Sequence, residues 1–84
     1  MLDLATLGRE IARMRHASGF TQGELASRAR VSRATVAALE NGAARELGFN
    51  KVMAILAALK ADLALTTLNE GRPTLEDLQR EAER

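Results

Sequence analysis

Apolar residues recur along the chain at helical spacing, in blocks separated by short polar turns. Leu4, Leu7, Ile11 and Met14 fall three or four residues apart, with Arg9, Glu10, Arg13 and Arg15 on other faces, which predicts a helix over Leu4–Ala17. Ser18-Gly19 stops it, Gly19 being suited to the left-handed position just past a helix end. His16 falls in the last turn, as an end-of-helix residue whose protonation complements the dipole. Thr21 opens a second block with Glu24 three residues on, the spacing of a capping box. Phe20 precedes the cap and can pack on Leu25 as a hydrophobic staple. Leu25, Ala26 and Ala29 form the buried stripe of a helix of about nine residues, too short to stand without packing partners.

Arg30-Val31-Ser32 is a tight turn, and Val31, its one apolar residue, plugs the angle between two crossing helices. Ser32 caps a third helix, Arg33–Asn41, with Val36 and Leu39 pointing inward and Asn41-Gly42 at its end. Ala43–Leu47 is a connector. Gly48 or Asn50 then begins a fourth helix running to about Leu59, with Phe49, Val52, Met53, Leu56 and Leu59 on its core face. Beyond Lys60 the period shortens. Asp62-Leu63-Ala64-Leu65-Thr66 alternates and predicts a strand over Ala61–Leu68, in competition with an extension of the helix through the same segment. Asn69–Pro73 reads as a turn or linker, and Thr74 caps a thin amphipathic helix, or a frayed tail, over Leu75–Glu83. The expected division is one domain over residues 1–68 and a linker with a short helix or flexible tail over 69–84.

Composition narrows the chemistry. A chain of 84 residues allows one small domain, and its 46% apolar share, mostly Ala and Leu with no Trp or Tyr, favours helices. With no Cys and a single His, neither a disulfide framework nor a metal site is expected. The longest apolar run, Val52–Leu59, is too short to span a bilayer, and Met1–Gly8 has neither the basic start nor the apolar core of a signal peptide. These features suit a cytoplasmic protein. Catalysis is not expected: His16 has no Ser or carboxylate arrangement beside it, and Gly42–Arg45 with Gly48 makes no nucleotide-binding fingerprint. No cofactor is implied. Charge is uneven. Met1–Arg45 carries seven Arg against four acids, whereas Glu46–Arg84 carries five basic against seven acidic residues, so a mildly basic front half precedes an acidic back half.

Two short helices joined by a tight turn, with small residues (Ala26, Ala29) at the crossing and a polar cap on the second, meet the physical demands of a helix-turn-helix. Thr21–Gly42, reading TQGELASRARVSRATVAALENG, resembles the helix-turn-helix of the Cro/phage-repressor (XRE) family in its TQ-x-x-LA…V-S-x-x-x-V-x-x-x-ENG pattern. The likeness covers about Leu4 to Leu59. Arg45–Phe49 followed by KVMAILAALKADLAL is similar to HipB-type antitoxins, more loosely, and Lys60 stands where Gly would be expected to end the fourth helix. The resemblance implies a mainly α, lambda-repressor-like domain of four to five helices, plus a short C-terminal β-strand that pairs with its twin in a dimer.

What the resemblance implies for residues is specific. Gln22 matches a phosphate-binding Gln, and Ser32 and Thr35 match phosphate or sugar contacts, Ser32 also serving as a cap. Arg33 can make a bidentate contact to guanine or hold a phosphate. Ala34, Ala37 and Ala38 offer only methyl contacts, so base reading per half-site is sparse and backbone contacts with DNA deformability carry more. Asn41 and Arg45 match phosphate contacts past the helix, and Arg15 with Glu40 matches a structural ion pair between the first and third helices. Val52, Leu56, Leu63 and Leu65 are expected at the dimer interface. The implied function is a dimeric, sequence-specific repressor on a palindromic operator, a HipB-like antitoxin that autoregulates its operon and neutralises a HipA-like kinase toxin. The alternative is a protein-interaction module of the same fold that has lost sequence-specific DNA reading.

Overall fold

The computed structural model describes residues 1–68. They build four helices: α1 Leu4–Ser18, α2 Gln22–Ala29, α3 Arg33–Glu40 and α4 Phe49–Ala58. The turn at Asn69–Pro73 and the helix expected over Leu75–Glu83 lie outside the described residues.

Side-chain caps start three of the helices. The Asp3 carboxylate accepts from the Thr6 N–H at 2.7 Å, the Ser32 hydroxyl accepts from the Thr35 N–H at 3.0 Å, and Thr21 and Glu24 cap each other reciprocally. All four helices end in one geometry, with a left-handed residue followed by an N–H that reaches back five residues to a carbonyl. Phe20 donates to Arg15 (3.2 Å), Val31 to Ala26 (3.0 Å), Ala43 to Ala38 (2.9 Å) and Ala61 to Leu56 (2.8 Å). Glycine fills the left-handed position after α1 and α3; Arg30 (φ 58°) and Lys60 (φ 57°) fill it after α2 and α4. Lys60 therefore ends α4 without glycine, and the helix does not extend toward Leu68.

The expected strand over Ala61–Leu68 is not formed among the described residues. A ladder needs a second strand, and four helices offer none. The segment instead follows an irregular path: Leu63 packs half-buried against the core, whereas Leu65 and Leu68 are exposed.

Ile11, Leu25, Val36, Leu39, Ile55 and Leu56 are fully buried at the centre, joined by Leu7, Ala26, Ala29 and Val52. α3 packs on α1 and α2, and α4 on α2. Two expectations about α4 are corrected. Val52 (6% exposed) and Leu56 (1%) are spent on the domain's own core and have no surface left for a second subunit. Phe49 is 69% exposed, because the core that covers Val52 does not reach back one turn to the helix start. Ile55 takes the fully buried place, completing a spacing of 52, 55, 56 on one face. α1 approaches α3 closely at Gly8, where a Cβ would overlap the Leu39 carbonyl.

Candidate nucleic-acid interface

Gln22 is the first residue of α2 and Arg33 the first of α3. The two first turns lie side by side, since a Cβ built on Gly23 would sit 4.0 Å from Arg33 Cδ. At that distance a Cβ would meet the Arg33 stem in ordinary van der Waals contact, so the stem passes beside the start of α2. Arg33 and Ala34 are exposed and Thr35 is half-buried. Ser32 Oγ lies 2.8 Å from Thr35 Oγ besides accepting the Thr35 N–H, so both hydroxyls are held at the helix cap. Ala37 and Ala38 are half-buried one turn further on and present little beyond methyl groups.

Asn41 is exposed, and its Oδ1 accepts from the Ala43 N–H at 2.9 Å; this fixes the chain past α3 and leaves its NH₂ group facing outward for a partner. Arg45 lies in the loop before α4, lining a shallow cleft with Leu4, Glu46, Leu47, Gly48 and Lys51. Among the described residues no side-chain hydrogen bond joins it to Gln22 or Arg33. Leu63 lies against the core and Leu65 stands free of it.

Behind this face sits a buried polar cluster. Arg15 grips Glu40 with two parallel hydrogen bonds, Nε to Oε2 at 2.7 Å and Nη2 to Oε1 at 2.9 Å, with both side chains no more than a tenth exposed. Arg15 Nη1 donates to the Phe20 carbonyl at 2.8 Å, and Nη2 lies 3.2 Å from His16 Nε2. One guanidinium thus ties the end of α1, the approach to α2 and the end of α3. Burial by itself pushes the Glu40 carboxyl up, but hydrogen bonds from Arg15 and Gln22, with the Arg15 charge, outweigh it and hold the group below its ordinary range. The Glu40 hydrogen bond raises Arg15 above its ordinary value, against the opposing effect of burial.

Gln22 belongs to the same cluster: its Nε2 donates to Glu40 Oε1 at 3.1 Å. Sequence reasoning missed this bond, because the partners are separated by α2, the turn and α3, and no local spacing signals it. It also missed Arg28, whose guanidinium carbon lies 4.4 Å from the Phe20 ring centroid and clasps the turn between α1 and α2. An Arg in the last turn of α2, with an aromatic ahead of its cap, is a signal that could have suggested it.

Two helices with adjoining first turns, the second exposing an Arg from a capped N-terminus, define a helix-turn-helix DNA-binding regulator. The chain belongs to the helix-turn-helix domain family, which matches residues 6–68. No curated protein and no solved structure matches it. The helix-turn-helix is a DNA-binding fold. Among the described residues no group of His, Asp and Glu is arranged to hold a metal ion, and no helix is long and apolar enough to cross a membrane.

Proposed function

We propose that this protein is a sequence-specific transcriptional repressor that binds a palindromic operator as a homodimer, and that it is the HipB-like antitoxin of a HipA-like kinase toxin, acting in the cytoplasm on its own operon. The observation that carries the DNA reading is the adjoining pair of helix starts, with Arg33 exposed over Gly23 and Gln22 beside it. Arg33 reads guanine or clamps a phosphate; Gln22, Ser32, Thr35, Asn41 and Arg45 position the backbone; and Ala34, Ala37 and Ala38 give methyl contacts. Sparse base contacts per copy favour two copies, because usual specific affinities of about 10⁻⁸ M or tighter need more contacts than one half-site supplies. Support for pairing lies past α4, where Leu65 and Leu68 are exposed and no strand among the described residues pairs with their segment. A strand contributed by each copy, antiparallel across a two-fold axis, covers them.

The test is a gel shift on the DNA just upstream of the gene at two salt concentrations. A shift that weakens as salt rises is expected; no salt-sensitive shift there at any workable protein concentration contradicts the proposal. The second reading, an interaction module without DNA reading, draws on the methyl-only surface of α3. It predicts that Arg33→Ala and Gln22→Ala leave the cellular phenotype intact while Leu65→Asp abolishes it; the repressor reading predicts loss in all three.

A further inference from the structure

Glu40 is buried at the C-terminal end of α3, yet it touches the side chain at the very start of α2. An ionised carboxylate only accepts hydrogen bonds, so the face of the Gln22 amide turned toward Glu40 must be its nitrogen. That choice fixes the other face. With one Nε2 proton on Glu40 Oε1, the second proton and the Gln22 carbonyl oxygen are left for an outside partner in one orientation instead of two. The carboxylate is itself immobilised by the paired bonds from Arg15, whose third contact, to the Phe20 carbonyl, holds the backbone leading into α2. The side chain and the backbone at the start of α2 are thus held by one guanidinium.

From this geometry we infer that Glu40 is a positioning residue for DNA binding: anchored by Arg15, it sets the Gln22 amide in the orientation that donates to a DNA phosphate. The ion pair is then part of the binding face as well as a strut between helices. This rests on the proposal that the protein binds DNA through Gln22. An amide turned the other way offers its carbonyl oxygen to the phosphate, which repels it, so the orientation decides whether the contact exists.

The experiment is a double-mutant cycle on Gln22→Ala and Glu40→Gln. Affinity is measured by fluorescence anisotropy on a DNA duplex recovered by selection from a random-sequence library, and stability by thermal melting. Glu40→Gln keeps the shape but substitutes a group that both donates and accepts, which no longer dictates the Gln22 orientation. In the parent chain it is expected to weaken DNA binding about tenfold, the size of one charge-assisted hydrogen bond. In the Gln22→Ala chain the same change is expected to cost less than about twofold in affinity, thermal melting showing that each variant is folded at the assay temperature. Equal affinity losses in both backgrounds overturn the positioning role and leave the DNA-binding reading standing. Should the parent chain bind no duplex at all, the DNA-binding reading falls and this inference falls with it. A measurement on the parent chain avoids the risk that Glu40→Gln unfolds the domain: by NMR, the Gln22 side-chain amide proton bound to Glu40 should exchange slowly with water. Two rapidly exchanging protons overturn the lock.

Discussion

Among the described residues, Arg15 and Glu40 form the buried ion pair. Removing one partner leaves a buried charge facing nothing, a loss of about 3–5 kcal/mol for such pairs, which is a large part of what a small domain has to spare. Arg15→Ala is therefore expected to shift the urea midpoint down steeply or prevent folding, as circular dichroism would show. The pH dependence follows from the direction of the Glu40 shift. Its carboxyl is held below the unfolded value, so the unfolded chain takes up the proton first as pH falls. The pair's contribution is present above the ordinary carboxylate range and is lost progressively on acidification from that range down through the lowered folded value. Urea melts across an acid series should show this loss in the parent chain and a flatter profile in Glu40→Gln. Gly8 is a purely steric counterpart. Gly8→Ala forces α1 away from the Leu39 carbonyl and should lower stability by about 1–3 kcal/mol, measured by thermal melting; an unchanged midpoint would mean the helices part without cost.

Helix boundaries are set by short-range chemistry, and that is why so much of them could be read in advance. The Thr21/Glu24 box, the Ser32 cap and Gly19 are local devices with fixed spacing, and the helices start and stop at them. Lys60 hides its role, since a left-handed lysine has no sequence signature; the backbone accepts the strain because Ala61 regains the Leu56 carbonyl. A left-handed position costs a non-glycine residue about 1–2 kcal/mol, partly offset in glycine by its greater unfolded entropy. Lys60→Gly should accordingly raise stability by roughly 0.5–1 kcal/mol in urea melts. Which neighbour covers an apolar stripe was not legible. Val52 and Leu56 present the same helical pattern whether buried by their own domain or by a second chain, and only the packing of α4 on α2 decides between them. The same holds for the binding face. Its residue types and their placement at two helix starts follow from the motif, whereas the Gln22–Glu40 bond and the Gly23–Arg33 contact arise from how α2 and α3 cross.

Two copies are what the functional proposal most needs, because one copy offers a single strong reader in Arg33. Leu65 and Leu68, exposed beyond α4, are the residues on which pairing rests, since Val52 and Leu56 are committed to the core. Leu65→Asp should leave the thermal midpoint of the helical domain almost unchanged while converting the protein to a monomer by light scattering and weakening its DNA binding. The central claim, that this face docks on DNA as a pair, is tested most directly by an anisotropy titration of a selected duplex at several salt concentrations. If Arg33 and Arg45 from two copies neutralise about four phosphates, affinity should fall about a hundredfold between about 50 and about 200 mM salt, with two chains bound per duplex. A flat salt dependence, or saturation at one chain per duplex, would contradict it.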